Sequence, residues 1–272
     1  MQNPTGRDLA TPLSNSIPDR DAAILDLAAQ GNVPEPTWTT VSYVKDGHTV
    51  EFAVATDALM IGSTDPIRLN ATHPTAQKLA DMFGAMLPTT RMADAAYQAG
   101  HQIAPQPGAS DSHMSDTSRM IEHSDRVSRA RALTGAGEGE LIGDNGKHWV
   151  NTEQLLNSDG TIANMRDANR NPVPGTIAAA NFGWHTSPAM TNSVSPGGAP
   201  VIQSIGLRHN DGHTDYSQVV QLYGTTVAID GNPMKIEDIM QDPDLAYLVS
   251  DEVLKGTPGR VWRYPAVPLP NA

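Results

Sequence analysis

The chain contains no cysteine, few aromatic residues and no long apolar run. Without cysteine it has no disulfide framework, no thiolate nucleophile and no cysteine-ligated zinc or iron–sulfur site. No run approaches the roughly 18 apolar residues that a membrane-spanning helix needs, so we expect no membrane span. Basic residues are scarce, 18 against 30 acidic ones in 272 residues, and the net charge is −12. This balance argues against general nucleic-acid binding.

We expect the N-terminal stretch not to be a secretory signal peptide. It has no basic region followed by an apolar one, so it does not resemble a secretory signal peptide. This is compatible with a cytoplasmic protein, a particle-associated protein, or a secreted one whose signal has been removed.

The chain divides into three parts by composition. Residues 1–39 are polar and broken by prolines, and they predict an arm and a linker. Such an arm is one route to a homo-oligomer. Residues 40–255 predict one domain, and residues 256–272 predict a proline-rich tail over the surface.

The order of elements predicts the fold class. Alternating segments at 41–44 and 48–55 flank Asp46-Gly47 and predict a β-hairpin. Helical spacing follows over 75–86, 90–99 and 116–133, and strand-like runs return at 200–207 and 218–229. Because no βαβ alternation appears, we expect an α+β fold. Its sheet would be mainly antiparallel, with helices inserted between N- and C-terminal strand groups.

Polar side chains concentrate in GWHT (183–186) and LRHNDGHTDYSQ (207–218), both beside strand-like runs. Such groups at the ends of strands are typical of functional sites. In an acid–base or nucleophilic site, His185 and His209 are the base candidates and Asp215 orients one of them. Tyr216 or Ser217 then acts as the proton donor or as the nucleophile.

Two other chemistries fit the same residues. Three imidazoles and one carboxylate could bind one divalent metal ion, through His185, His209, His213 and Asp215. The other possibility is that the site binds a sugar or peptide without catalysing a reaction, with Trp184 as an apolar platform. Lys147, in a turn entering a short strand, is a candidate for binding an anion. The structural alternative is a turn-capping Asp215, a core Tyr216 and an exposed Ser217.

The chain resembles a family of uncharacterised bacterial and phage-associated proteins, often secreted. The resemblance covers about residues 50–250 and rests on the following matches: LPTTRMAD (87–94), Lys147 in GDNGK, FGWH (182–185), IQ (202–203), and His209 followed by TDYS (214–217). It adds Arg91 to the candidate substrate-binding residues. After the serine, the chain has Gln218-Val219-Val220-Gln221 where the family pattern has His-Gly-x-Arg. A role of that histidine or arginine would therefore be lost or altered here.

These observations predict a cysteine-free hydrolase or lyase acting on a peptide or glycan polymer, with cell-wall peptidoglycan as one substrate and no cofactor. One alternative is a non-enzymatic phage or particle component, or a ligand-binding protein. The other is a metal-dependent hydrolase that uses the same histidines.

Overall fold

The computed structural model describes residues 4–265 and has the predicted α+β architecture. The helices are α1 (Gly6–Ala10), α2 (Ile17–Ala29), α3 (His73–Met82), α4 (Thr90–Ala99), α5 (Thr117–Thr134), α6 (Ile236–Gln241) and α7 (Ala246–Val249), with a 3₁₀ turn at Glu153–Leu155. The strands are β1 (Trp38–Lys45), β2 (His48–Ala55), β3 (Met60–Ile61), β4 (Ile67–Arg68), β5 (Ala85–Met86), β6 (His101–Gln102), β7 (Ile142–Gly143), β8 (Lys147–Trp149), β9 (Ala178–Phe182), β10 (Gly206–Asn210), β11 (Gln218–Val219), β12 (Tyr223–Ile229) and β13 (Asn232–Lys235).

The largest sheet joins the two ends of the domain. Its strands run in the order β1-β2-β12-β13, and β5 adds to β12. The predicted hairpin is confirmed: Asp46 and Gly47 both have positive φ, 51° and 87°, as the turn between β1 and β2 requires. The antiparallel pairing of β2 with β12 places N- and C-terminal strands in one sheet, as predicted.

A second sheet carries most of the candidate site residues. Its order is β10-β9-β8-β11, antiparallel except where β11 runs parallel to β8. His209 lies inside β10 rather than on a loop. The predicted strand over 200–207 is regular only from Gly206 onward.

The helices α3, α4 and α5 begin where the sequence predicts. α3 follows Thr72 with Pro74 in its first turn, and α4 is capped by the Thr89 hydroxyl, which accepts from the Met92 amide at 3.3 Å. α5 follows Asp116 and ends at Gly135 with φ 76°. Among the helices of residues 4–265, none is long and apolar enough to cross a bilayer.

The apolar core is divided by the sheets. One cluster lies between the large sheet and α6 and α7, and includes Phe52 and Tyr223. A second lies between α2, α3 and the second sheet, and includes Ile24 and Trp149. A third covers the opposite face of β9, around Phe182.

Residues 4–39, predicted as an arm and linker, instead pack against the body of the protein. Thr5 and Asp8 cap α1 reciprocally, and the Arg7 guanidinium pairs with Asp65 at 2.9 Å and Asp125 at 2.7 Å. The prolines led to the prediction of an irregular arm. Pro18, however, lies in the first turn of α2, where a helix accepts proline. The segment therefore docks on its own chain through both apolar and charged contacts.

The predicted C-terminal tail falls partly outside the described residues, since 266–272 are not among them. Of its described part, Val261 and Tyr264 are buried in the third core cluster, and the Tyr264 hydroxyl donates to the Ala178 carbonyl at 3.1 Å. This stretch is therefore part of the core and does not simply cover it.

The docking of α1 gives a stability prediction. A Cβ on Gly6 would lie 2.1 Å from the Ile61 carbonyl oxygen, and the Gly6 amide donates to the Thr64 carbonyl at 2.7 Å. We expect Gly6→Ala to lower the free energy of unfolding by about 1–3 kcal/mol, because the backbone must separate to admit the methyl group. Urea denaturation measures the change.

The matched control is Gly137→Ala, whose new Cβ would meet only the Glu140 side chain at 3.5 Å. Equal stability of the two variants would contradict the docking of α1.

Candidate functional site

Neighbouring residues of the second sheet serve two different clusters, because side chains alternate between the faces of a strand. In β8, Lys147 reaches the Trp184 ring, whereas His148 lies 3.9 Å from Asp144. Trp184 and His185, which follow the end of β9, also reach different clusters, although they are adjacent in the sequence. The residues that the sequence grouped into one site therefore fall into two.

The first, the His185 cluster, contains His185, Asp94, Asp144 and Ser195. The imidazole lies between two carboxylates, with Nδ1 at 2.9 Å from Asp144 and Nε2 at 2.8 Å from Asp94. The His185 amide also donates to Asp144, and the Ser195 hydroxyl donates to Asp94 at 2.6 Å. The Tyr97 ring stacks on the imidazole at 4.3 Å. Both ring nitrogens are thus held by the protein.

The electrostatics of this cluster favour an imidazolium. Burial opposes the charged form, but the carboxylates of Asp144 and Asp94 outweigh it and raise the pKa of His185 to about 9. The side chain is 0% exposed. His185 is therefore buried, and both of its ring nitrogens are engaged by carboxylates of the protein.

The second, the Asp215 cluster, contains Asp215, Ser217, His213, His209 and Lys147. One Asp215 oxygen accepts from the Ser217 amide at 2.7 Å and from its hydroxyl at 2.5 Å, so this carboxylate caps a turn. The other lies 3.9 Å from His213 Nε2, which is an electrostatic contact rather than a hydrogen bond. His213 stacks on His209 with ring centres 3.9 Å apart.

The groups around the Asp215 carboxylate stabilise its negative charge. Burial would raise the pKa of Asp215, but His213, the Lys147 ammonium and the Ser217 donors outweigh it and hold that pKa well below its usual range. Burial lowers the pKa of Lys147, and Asp215 partly offsets this. The cluster therefore contains a stable carboxylate beside a partly desolvated ammonium.

An aromatic row connects Trp184 to Tyr216. The His123 ring lies between them, at 6.2 Å from Trp184 and 5.4 Å from Tyr216, and the Arg126 guanidinium lies over Tyr216 at 5.7 Å. The Tyr216 hydroxyl accepts from the Gly108 amide at 2.6 Å. Tyr216 and Ser217 are 4% and 1% exposed, so neither hydroxyl is open to a large substrate.

His209 differs from these buried groups because it lines a groove of about 1170 Å³. Burial lowers its pKa to about 4, with a further decrease from His213 and only partial compensation by Asp215. Its imidazole is therefore neutral at pH 7. No hydrogen bond from the part of the chain that the structure describes holds either of its nitrogens.

The structure does not assemble the remaining predicted sets. Both nitrogens of His185 are bonded to carboxylates, so it does not share a metal position with His209, His213 and Asp215. Among residues 4–265, no group of three or more histidine and carboxylate side chains is placed to hold a metal ion. Arg91 is engaged by Asp251 at 2.5 Å, and this pair anchors α4 to the C-terminal region.

The residues of the segment Gln218-Val219-Val220-Gln221 are all buried. Gln218 Oε1 accepts from the Asp215 amide at 2.5 Å, and Gln221 Nε2 donates to the Ala55 carbonyl at 2.8 Å. Val219 pairs with His148 across the parallel strands. These side chains make structural contacts in the interior of the protein.

Asp94 and Asp144 were missed by the sequence reasoning, although a signal for both was present. Asp94 is the last residue of LPTTRMAD, and Asp144 lies in GDNGK three residues before Lys147. Both therefore belong to the same motifs that contain Arg91 and Lys147. The carboxylates went unnoticed because their partner, His185, is distant in the sequence.

No protein-family model matches this chain, and no curated protein or solved structure shows significant similarity to it.

The pKa of His185 gives a prediction for stability. Because this pKa is about 9 in the folded protein, against 6.5 for an unperturbed histidine, the stabilisation is fully present below about pH 6.5. It is lost as the pH rises through 9. We expect the free energy of unfolding to fall over this window by on the order of 3 kcal/mol, measured by urea denaturation.

Asp94→Asn is the informative variant. It removes one of the two carboxylates that raise the pKa of His185, so we expect the loss of stability to begin at lower pH. A stability that stays constant from pH 6 to pH 9 in the unmodified protein would contradict the assignment of an imidazolium.

Proposed function

We propose that the protein is a hydrolase or lyase that cleaves a polymeric glycan or peptide, with His209 as its acid–base group. The observation that carries this proposal is a neutral imidazole in the wall of a large groove. A base must be within reach of the substrate and unprotonated at the working pH, and His209 meets both conditions.

The neighbours of His209 have supporting roles in this proposal. His213 stacks against its ring and fixes its orientation, and Asp215 lies behind His213 at 3.9 Å. When a proton moves to His209, the Asp215 carboxylate stabilises the positive charge on the stacked pair. The Lys147 ammonium acts in the opposite sense, because its positive charge lowers the pKa of His209 and favours the neutral base. The proposed proton transfer uses the side chains of this chain and no cofactor.

The proposed roles differ from those predicted from the sequence. His185 becomes a positioning residue, because it connects α4, the turn before β8 and the segment after β9. Tyr216 and Ser217 form the turn under Asp215 and do not meet the groove. The volume of the groove, about 1170 Å³, exceeds the roughly 300–1,000 Å³ that is usual for small-molecule pockets, which favours a polymer over a small metabolite.

A second candidate is a binding or structural protein that performs no reaction. The observation favouring it is that the hydroxyl groups of the candidate site are buried and bonded internally. In that case the groove binds its ligand and His209 only contacts it. Cleavage products distinguish the two candidates.

Peptidoglycan sacculi are the first substrate to test, with released fragments identified by mass spectrometry. We expect His209→Gln to lower the rate of release at least about 100-fold, the usual contribution of a general base. The new chain ends show whether a glycosidic or an amide bond has been cut, and whether water has been added.

His48→Gln, on the β1–β2 hairpin, is the matched control and should leave the rate unchanged. Full activity of the His209 variant would refute the role of His209. Absence of fragments with the unmodified protein would favour the binding candidate.

A further inference from the structure

The groove beside His209 has an unusual charge for this protein. Three arginines line it, Arg166, Arg170 and Arg208, in a chain with a net charge of −12. Within residues 4–265 none of them forms an ion pair with a carboxylate. Most of the other arginines do so, as Arg68 does with Asp57 at 2.6 Å. The three guanidinium groups are therefore available to an anionic ligand.

The arginines are held at the groove by weak backbone contacts. Arg166 Nη1 donates to the Arg170 carbonyl at 3.4 Å, and Arg208 Nη2 donates to the Ala168 carbonyl at 3.3 Å. Each contact uses one N–H group and leaves the rest of the guanidinium fork open. Open forks suit carboxylates, which they bind through two parallel hydrogen bonds.

One carboxylate, Asp167, also lines the groove, but it is used within its own loop. Its Oδ1 accepts from the amides of Asn169 and Asn171 at 2.8 Å each. These backbone donors, and to a smaller extent Arg208, lower its pKa. Asp167 thus shapes the loop that presents Arg166 and Arg170, and the groove keeps an excess of positive charge.

The other polar side chains in the wall indicate the kind of polymer. They are amides and hydroxyls, which exchange hydrogen bonds with sugar hydroxyl groups. These side chains are Gln154, Asn157, Ser158, Gln203 and Ser204. Phe, Tyr and Trp are not among the described residues that line the groove, so it has no platform for stacked nucleobases.

We propose that the groove binds a glycan with carboxylates along its length, held by Arg166, Arg170 and Arg208. This inference specifies the substrate class of the proposed enzyme. Binding of the glycan does not depend on the proposed function, whereas its cleavage rests on that function. A carboxylated sugar bound by Arg208 lies in the same groove as His209, since both residues line it. The arginines would thereby determine which sugar unit is presented to the imidazole.

Binding to polygalacturonate tests the proposal, with methyl-esterified polygalacturonate as a neutral polymer of the same backbone and poly-glutamate as an anionic peptide. Isothermal titration calorimetry at low and at high salt measures each affinity. We expect binding to the acid form that weakens with salt, and at least tenfold weaker binding to the ester.

The variant combines Arg166→Gln, Arg170→Gln and Arg208→Gln, and we expect it to bind polygalacturonate at least tenfold more weakly. The control combines Lys78→Gln, Arg129→Gln and Lys235→Gln, exposed residues outside the groove lining, with the same loss of charge. We expect the control to bind as the unmodified protein does. Circular dichroism verifies that both variants fold.

Three outcomes would overturn the proposal: no binding to polygalacturonate, equal loss in both triple variants, or tighter binding to poly-glutamate. Binding without cleavage of polygalacturonate or sacculi would refute the enzymatic function and leave the ligand class intact.

Discussion

The structure depends on one buried charge, the imidazolium of His185 between Asp94 and Asp144. The two carboxylates come from α4 and from the turn before β8, so the histidine joins three separate segments of the chain. A buried ion that loses one partner leaves an uncompensated charge in a low dielectric, at a cost of several kcal/mol. The geometry of β8 and β9 therefore depends on this contact. So does the position of Lys147 on the opposite face, next to Asp215.

The sequence predicted the local structure well where a physical signal is local. Asp46-Gly47 has the backbone freedom that a two-residue hairpin needs, and Thr89 caps α4 through its own hydroxyl. The N-terminal segment was misjudged because its stability comes from distant partners. Composition does not show that Gly6 fits against the Ile61 carbonyl.

The candidate site was predicted in part, and for a similar reason. The sequence analysis selected histidines and acids near the ends of strands as one group, but closeness in sequence was mistaken for closeness in space, and the structure places them in two clusters. Lys147 and His148 point to opposite faces of β8, and Trp184 and His185, beyond the end of β9, also reach different clusters. No periodicity argument identifies which carboxylates will meet them. The sequence analysis did not predict the groove. Arg166 and Arg208 are brought together only when the loop before β9 packs beside β10.

The pairing of β2 with β12 has a consequence for how the chain acquires its fold. Val54 pairs with Tyr223 and Val50 with Ile229, so the two hairpins of the largest sheet stay separate until most of the chain has been synthesised. Contacts between such distant residues require the closure of a long loop and make folding slow. During synthesis the β1–β2 hairpin has one unpaired edge, and a nascent chain with such an edge is a target for chaperones.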